Sequence, residues 1–337
     1  MKKIYPLLFY FFLALQLIGQ DTFSIIAVDP ETGEIGAAGA TCVDGIANFG
    51  GIKILNKIIP GRGGVNAQAW ICINPHINLD NAIEQMENGL SPEEIINWLT
   101  LNDQCAAQGF NPEYRQYGIA DFDEQGMPRT AAFTGSQADD YKGHITGPTY
   151  AIQGNILLGP EVLEGMENGF NNTDGSLAEK LMSAMQGANI PGADARCLNR
   201  GTSSTSAFLK VVKPEDDPNA PFLLLDVLEM PFGEEPIDSL QVLFEAWLAT
   251  SGNEVKLPTP HLLIAPNPAG NEIIARVEQS RIQSWKIFNN LGQVVAGAKT
   301  DAQEELTISI ANFQSGLYYL MTEDLDQNSY ISRFIKN

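Results

Sequence analysis

Residues 22–42 decide the first part of the fold, and they read TFSIIAVDPETGEIGAAGATC. Five of the six residues at 23–28 are apolar and three are β-branched, and the turn-forming stretch Asp29-Pro30-Glu31-Thr32-Gly33 follows at once. Small residues are then densely placed from Glu34 to Cys42. This order predicts a β-hairpin whose first strand begins near Thr22.

Strand and helix patterns continue beyond this hairpin. Further strand pairs are predicted at 52–59 with 64–73 and at 116–122 with 129–134, and single strands at 150–155, 204–212 and 222–228. Helical spacing predicts helices over 79–87, 160–170, 177–185 and 236–249, and Ser91-Pro92-Glu93-Glu94 is typical of the start of another. Asp121 and Asp123 lie in a turn, but the acidic residue that a calcium loop needs at the twelfth position is replaced by Ala132. A plain turn is the favoured interpretation.

Length and charge limit the possible partners. The chain has 337 residues, of which 44% are hydrophobic, and this suggests two domains of ordinary size. Its formal net charge of −21 creates a field that repels nucleic acid and anionic lipid headgroups. Acidity that keeps the protein in solution is favoured over a specific cationic ligand. The sequence does not indicate an oligomeric state.

The first twenty residues have the layout of a secretory signal peptide. Lys2 and Lys3 precede an apolar run, and the small-polar pair Gly19-Gln20 closes it. The run is shorter than a bilayer span, so a soluble mature protein is expected, located outside the cytoplasm or at the cell surface. Cleavage after Gln20 would leave Asp21 first, and Thr22 would need one further cut.

Four cysteines are an even set in a chain that is expected to reach an oxidising compartment. They are Cys42, Cys72, Cys105 and Cys197. Three pairings are possible, and we favour Cys42 with Cys72 and Cys105 with Cys197, because the first two lie in early strands. No CxxC spacing argues for zinc, and the three histidines are too scattered for a metal cluster. We therefore expect no metal.

The C-terminal part has a different pattern. Residues 250–260 are rich in the linker residues Ser, Gly, Asn, Thr and Pro, and residues 262–337 predict about seven short strands with almost no helix. This pattern predicts a small β-sandwich. Three motifs closely resemble the C-terminal sorting domain of type IX secretion cargo: IAPNPA at 264–269, WKIFNNLGQVV at 285–295 and GLYYL at 316–320, before a final RFIK at 333–336. The resemblance implies the type IX secretion machinery as a partner and export across both membranes. A carbohydrate-binding sandwich is the alternative.

The first part resembles an Ntn-hydrolase-like family known as domain of unknown function 1028. The motifs that carry the likeness are TFSI at 22–25, AQA at 67–69, RQYG at 115–118, AFTG at 132–135, YAIQGNIL at 150–157 and GPEV at 159–162. The resemblance implies an α+β fold, a four-layer αββα sandwich, and no established activity. The expected organisation is a signal peptide at 1–20, an Ntn-hydrolase-like domain at 21–250, a linker at 251–261 and a β-sandwich sorting domain at 262–337.

Thr22 is the expected nucleophile. As the first residue it would supply a hydroxyl to attack and an α-amine, with a pKa of about 7.7–8.0, to act as base. Gln68 and Asn155 lie among small residues, and their amides can donate to a developing negative charge. Asp29 and Arg115 are predicted to form a charged pair that tunes the amine, with a structural salt bridge as the alternative. No cofactor is required.

Other polar residues have weaker claims on the site. Ser24 shares a strand face with Thr22 and is expected to assist or to be structural. His144 is predicted in a loop, at the surface or at the mouth of a pocket. The hydroxyl-rich stretch 201–206 is interpreted as a crowded turn before a central strand, with an anion-binding loop as the alternative.

Three functions follow from these patterns. The first is a secreted amidohydrolase acting on an amide-type small molecule or a peptide. The second is a non-catalytic binding or structural protein that keeps the fold while Asp21 stays attached. The third is a surface adhesin or glycan binder, which depends on the exported location.

Overall fold

The computed structural model describes residues 17–20, 22–249, 262–277, 280–289, 292–325 and 329–337. Most of the expected signal peptide, Asp21 and the expected linker at 251–261 lie outside the described residues. Within them the chain combines α-helices with antiparallel sheets, so the α+β prediction is confirmed.

The secondary structure follows the predicted order. The helices of the described residues are α1 (Ile77–Glu87), α2 (Pro92–Leu101), α3 (Glu161–Asn171), α4 (Leu177–Gly187) and α5 (Pro236–Leu248). The strands before α5 are β1 (Leu17–Gln20), β2 (Thr22–Val28), β3 (Ile35–Thr41), β4 (Asn56–Ile59), β5 (Gly63–Cys72), β6 (Arg115–Phe122), β7 (Pro128–Thr134), β8 (Gly143–Thr146), β9 (Tyr150–Gly154), β10 (Ser206–Val212) and β11 (Leu223–Val227). After α5 come β12 (Leu262–Ala265), β13 (Glu272–Val277), β14 (Ile282–Asn289), β15 (Val294–Gln303), β16 (Glu305–Ser309), β17 (Gly316–Asp324) and β18 (Ser329–Lys336).

Local chemistry explains several of these boundaries. The turn between β2 and β3 closes because Asp29 Oδ1 accepts the N–H of Glu31 and Gly33 adopts φ 73°, a left-handed conformation that glycine reaches without steric cost. Helix α2 begins with a capping box in which Ser91 and Glu94 satisfy each other's main-chain N–H groups. Both features were predicted.

Two sheets form the first part of the molecule. One has the strand order β1-β5-β6-β7, with β4 also paired to β5. The other has the order β11-β10-β3-β2-β9-β8. Every ladder in both sheets is antiparallel. Strands β2 and β3 are therefore central in the second sheet, and this buries Thr22.

Alternation along β2 explains how the sheets pack. Phe23, Ile25 and Ala27 lie in a core with α3, α4 and α5, whereas Ile26 and Val28 lie in a second core with residues of the first sheet. The helices α1 and α2 cover the first sheet through a third core. Thr22 and Ser24 therefore face the space between the two sheets.

The part after α5 consists of strands in its described residues. A three-stranded sheet, β12-β13-β16, and a four-stranded sheet, β15-β14-β17-β18, share one apolar core. Within that core the rings of Tyr318 and Phe334 stack with centroids 5.6 Å apart. The seven strands agree with the predicted number.

The favoured disulfide pairing is wrong. Cys42 pairs with Cys197 and Cys72 pairs with Cys105, with Cα atoms 5.8 and 5.5 Å apart. Cys42 follows β3 of the second sheet and bonds to Cys197 in a short 3-10 helix, Ala195–Arg200, whereas Cys72 ends β5 of the first sheet and bonds to Cys105 in the loop after α2. Two smaller predictions also change: residues 52–55 form a 3-10 turn rather than a strand, and His144 lies in β8 rather than in a loop.

Candidate active site

Thr22 opens β2 at the polar end of the space between the sheets. Its side chain is fully buried, and its Oγ1 has no hydrogen-bond partner among the described residues. The main-chain nitrogen donates to Asn155 Oδ1 at 3.3 Å. The main-chain carbonyl accepts from the N–H of Asn155 at 3.1 Å and from Gln68 Nε2 at 2.9 Å. The main chain of Thr22 is therefore held on both sides while its hydroxyl stays unused.

Gln68 is a fully buried side chain in the middle of β5. Its Nε2 donates one hydrogen to the carbonyl of Thr22 and the other to Gln116 Oε1 at 2.7 Å, and its Oε1 accepts from Ser24 Oγ at 2.6 Å. Both amide hydrogens are thus committed. Gln68 positions Thr22 and has no hydrogen left for the oxyanion role that its amide suggested.

A chain of neutral polar side chains continues away from Thr22, and we call it the inter-sheet seam. It consists of Ser24, Gln68, Gln116, Thr134, His144 and Gln153. Gln153 Nε2 donates to Ser24 Oγ at 2.6 Å, and Gln116 Nε2 donates to Thr134 Oγ1 at 2.9 Å. Thr134 Oγ1 lies 2.9 Å from His144 Nδ1, so the seam runs from Thr22 to a histidine in β8, an edge strand of the second sheet.

Strand register places these side chains in two facing rows. In the first sheet Gln68 is opposite Gln116, which is opposite Thr134. In the second sheet Ser24 is opposite Gln153, which is opposite His144. Directly paired residues point to the same face of a sheet, so each row projects as a unit. The bond between Ser24 and Gln68 joins the two rows.

Gly118 provides room for one member of the seam. A Cβ built on this residue would lie 1.8 Å from Gln153 Oε1. Because Gly118 has no side chain, the amide of Gln153 packs directly against the main chain of β6. A larger residue at 118 would displace that amide from Ser24.

Unusual backbone angles follow both amide residues that touch Thr22. Ala69, next to Gln68, has φ 67°, and Ile156, next to Asn155, has φ 48°. A left-handed conformation is uncommon outside glycine and is a true outlier for a β-branched residue. Such strain costs about 1–3 kcal/mol and clusters at functional sites. Its position on both sides of Thr22 supports the assignment of this end of the sheets as the site.

The predicted pair of Asp29 and Arg115 does not form. Asp29 lies in the turn at the far end of β2, and a seven-residue strand separates it from Thr22 by about 20 Å. Arg115 is fully buried, pairs with Asp103 at 2.8 Å, and donates to the carbonyls of Trp70, Cys105 and Ala107. Arg115 therefore fixes the loop around Cys105, in agreement with the alternative of a structural salt bridge.

Sequence reasoning missed Gln116, Gln153 and Thr134. Gln116 and Gln153 are fully buried in strands whose neighbouring residues are mostly apolar. Burying a glutamine amide costs free energy unless the amide is hydrogen-bonded. A glutamine within an otherwise apolar strand was therefore the sequence feature that could have indicated a buried polar network.

His144 is the one member of the seam whose side chain can become charged near neutral pH, because the other members are serine, threonine and glutamine. The pKa of His144 is lowered by partial burial, which favours the neutral ring. Thr134 Oγ1 accepts a hydrogen from Gln116 Nε2, and the tautomer of His144 decides which of Oγ1 and Nδ1 donates in the contact between them.

The stretch 201–206 is a crowded turn leading into β10, a central strand, as predicted. Glu235 accepts hydrogen bonds from the N–H and Oγ of Ser203, so a carboxylate of the chain itself occupies the place an anion would take. Burial raises the pKa of Glu235. In the described part of the chain no three His, Cys, Asp or Glu side chains are grouped for a metal ion, and no helix there has the length and apolarity of a membrane span.

Comparison with known proteins gives two family matches. The family of unknown function DUF1028 matches residues 22–238, and the secretion system C-terminal sorting domain matches residues 263–337. The chain is thus type IX secretion cargo, exported to the cell surface or the extracellular space, and its sorting domain interacts with that secretion machinery. No curated protein matches.

Two solved structures are similar. One is the crystal structure of protein SPO2555 from Silicibacter pomeroyi, a DUF1028 protein, at 27% identity and a TM-score of 0.52, covering 69% of this chain and 91% of that one. The other is CopC from Methylosinus trichosporium OB3b, at 14% identity and a TM-score of 0.18, covering 23% and 91%.

Proposed function

This chain belongs to the family of unknown function DUF1028, and from that premise we propose that it is a secreted N-terminal-nucleophile amidohydrolase with Thr22 as its nucleophile. Its substrate carries an amide or peptide bond. The two facing sheets with helices on their outer sides then correspond to a four-layer αββα sandwich over residues 21–250, followed by a linker at 251–261 and the sorting domain.

The observation that carries this proposal is the state of the Thr22 hydroxyl. It is fully buried, lies at the head of a strand and has no partner among the described residues, although polar groups on both sides hold the main chain of the same residue. An unpaired buried hydroxyl costs free energy, about 1–3 kcal/mol. A nucleophile must keep its hydroxyl available, and this requirement accounts for the cost.

The chemistry needs only groups of this chain and water. Thr22 Oγ attacks the amide carbonyl carbon while the α-amine of Thr22 takes the hydroxyl proton. The C–N bond breaks, the leaving amine receives that proton, and an ester to Thr22 remains. Water, deprotonated by the same amine, hydrolyses the ester and restores the hydroxyl. Asn155 Oδ1 orients the amine as hydrogen-bond acceptor, and Gln68 holds the carbonyl of Thr22.

The amine must be freed before this reaction can begin. One route is signal-peptide cleavage followed by an aminopeptidase that removes Asp21. The other is self-cleavage, in which Thr22 Oγ attacks the carbonyl of Asp21, the peptide bond becomes an ester, and water releases the leader. A free α-amine has an ordinary pKa of about 7.7–8.0, so part of it is unprotonated near neutral pH and can act as the base.

The decisive test is the N-terminus of the protein recovered from its native host's surface or medium, by intact mass and N-terminal sequencing. A start at Thr22 is expected. The chain beginning at Thr22 should then hydrolyse members of an amide library, Thr22→Ser should keep measurable turnover, and Thr22→Ala should lose it while remaining folded. A native start at Asp21 or earlier in all molecules would contradict the mechanism.

One observation favours a second candidate, a non-catalytic binding or structural protein with the same fold. Residues Leu17–Gln20 pair with β5, so a leader that stays attached has a place in the fold. If the leader stays attached in the native protein, this candidate takes first place.

A further inference from the structure

The segment before Thr22 lies on an edge of the first sheet. Strand β1, Leu17–Gln20, runs antiparallel to the end of β5, with Leu17 opposite Cys72 and Gln20 opposite Ala69. On the same edge β4 pairs with β5 only over Gly63–Asn66. In the described residues β1 alone covers the last part of this edge, and removal of the leader would expose it.

The main-chain groups available on that edge can be assigned. Arg115, on the β6 side, donates to the carbonyl of Trp70. Consecutive residues of a strand direct their N–H and C=O groups to opposite edges, so Ile71 offers both groups to the edge that β1 covers. Its partner there is Ile18. The neighbouring Gly19, opposite Trp70, directs its N–H away from β5.

The edge is held in place by its surroundings. Cys72, at the end of β5, is bonded to Cys105. Arg115 donates hydrogen bonds to the carbonyls of Cys105 and Ala107, and so holds the segment to which β5 is joined. Trp70 is fixed by a hydrogen bond from Nε1 to Asp139 Oδ2 at 2.8 Å. A strand added here would meet a rigid template and lose little free energy in ordering it.

We propose that, in the mature protein, the Ala69–Cys72 edge of β5 binds an extended peptide as an added antiparallel strand and delivers its carbonyl to Thr22. This inference rests on the proposed function and specifies its substrate class as peptides rather than small amides. Strand addition of this kind draws affinity from main-chain hydrogen bonds.

The leader shows the register of that peptide. Its residues Leu17–Gln20 lie on the edge, the next residue in sequence is Asp21, and the bond after Asp21 is the one before Thr22. In the same register the fifth residue of a separate peptide is the one next to Thr22, and its carbonyl carbon is the atom that Thr22 Oγ attacks. The C–N bond after that residue breaks, the released amine takes the proton from the α-amine of Thr22, and the acyl part is freed by water.

The first arm of the test measures hydrolysis by the chain from Thr22 to Asn337. The probe is Leu-Ile-Gly-Gln-Asp, a copy of residues 17–21, joined to aminomethylcoumarin, and the reference is acetyl-Asp joined to the same group. We expect kcat/KM for the longer probe to be at least about tenfold higher. N-methylation of its isoleucine should remove that gain, since it blocks the bond to Ile71, whereas N-methylglycine at the third position should retain it.

The second arm measures binding and does not depend on turnover. The same peptides, with fluorescein at the N-terminus and a carboxamide at the C-terminus, are titrated by anisotropy into the Thr22→Ala form of the mature chain. We expect the N-methylisoleucine peptide to bind about tenfold more weakly than the parent, as for one lost hydrogen bond, and the N-methylglycine peptide to match the parent. The unprocessed chain, whose own leader covers the edge, should not bind.

The two arms separate failure of this inference from failure of the proposed function. Hydrolysis of both amides at equal rates would overturn the peptide site while leaving the amidohydrolase intact. Binding with the expected N-methyl pattern but no hydrolysis would overturn the proposed enzyme and keep the peptide site. Equal affinity for the two N-methylated peptides, or binding to the unprocessed chain, would overturn the peptide site.

Discussion

The main-chain nitrogen of Thr22 and Oδ1 of Asn155 lie 3.3 Å apart across 133 positions of sequence. Asn155 follows the end of β9, the strand paired with β2, and its own N–H returns a bond to the carbonyl of Thr22. This two-point contact fixes the nitrogen whose basicity the proposed reaction uses. The charge of the residue at 155 should therefore control the pH dependence of the enzyme.

Replacing Asn155 with aspartate tests that control. In the chain that begins at Thr22, a carboxylate beside the α-amine favours the protonated form and should raise its pKa by about 1–3 units. The rising limb of kcat/KM against pH should move upward by the same amount, with activity regained at alkaline pH. Asn97→Asp adds the same charge on the exposed face of α2 and should leave the profile unchanged. An unshifted limb in Asn155→Asp would remove Asn155 from its proposed role.

The Thr22 hydroxyl, which has no partner among the described residues, should lower the free energy of unfolding. Thr22→Val in the full-length chain removes a buried polar group without a described partner and should raise the free energy of unfolding by about 1 kcal/mol. Thr205→Val is the matched control: its Oγ1 donates to the carbonyl of Thr41 at 3.1 Å, so the change should lower that free energy by a similar amount. Urea unfolding measures both. Equal losses in the two variants would mean that the Thr22 hydroxyl is bonded after all.

Gly118 should be intolerant of a side chain. Gly118→Ala brings a Cβ to 1.8 Å from Gln153 Oε1 and should lower the free energy of unfolding by about 1–3 kcal/mol. Most of that loss should disappear in a Gln153→Ala background, which gives a large coupling energy in a double-mutant cycle. Gly270→Ala, where a Cβ meets nothing within 4 Å, is the control and should be nearly neutral. Additive effects of Gly118→Ala and Gln153→Ala would show that the seam adapts without this contact.

His76 should make stability fall in mild acid. Burial lowers its pKa to about 4, while nearby Asp80 raises it and Lys57 lowers it by smaller amounts. Because the pKa of the folded state lies below the unfolded value of about 6.5, the unfolded chain binds more protons between the two. The stabilisation is therefore complete above pH 6.5 and is lost progressively as the pH falls toward 4, by about 3 kcal/mol in all.

His76→Gln measures this contribution. Glutamine does not titrate, so the variant should lose less stability than the parent protein between pH 7 and pH 4.5 in urea unfolding curves. A parallel pH dependence in the two proteins would assign the acid sensitivity to other groups.

Local patterns predicted most of the fold. The β2–β3 hairpin follows from alternation and from the turn at Asp29, and α2 follows from the capping residues Ser91 and Glu94, because each feature is decided within a few residues. Strand β8 was missed since only one of its four residues, Ile145, is a large apolar residue, which is too few to mark a strand in the sequence. The sorting domain was identifiable from its ordered motifs.

The site was only partly predictable. Thr22, Gln68 and Asn155 lie together, as expected. The residues around Gln68 in sequence do not indicate that both of its amide hydrogens are donated to other groups of the protein. Asp29 was expected to pair with Arg115 and tune the amine, whereas the extended strand β2 carries Asp29 to the end opposite Thr22. The roles of Gln116 and Gln153 could not be predicted without knowing which strands pair, since these side chains bond to residues of neighbouring strands.

Disulfide connectivity is a property of the tertiary fold and gives a direct check on it. Proteolysis of unreduced protein followed by mass spectrometry should recover Cys42 linked to Cys197 and Cys72 linked to Cys105. The loops closed are 155 and 33 residues long, so loss of each bond through paired serine substitutions should cost about 5 and about 4 kcal/mol by chain entropy. The disulfide that closes the shorter loop also holds Cys105, whose carbonyl accepts a hydrogen bond from Arg115, so loss of this bond should also weaken peptide binding at β5. Fragments linking Cys42 to Cys72 would contradict the packing of the two sheets.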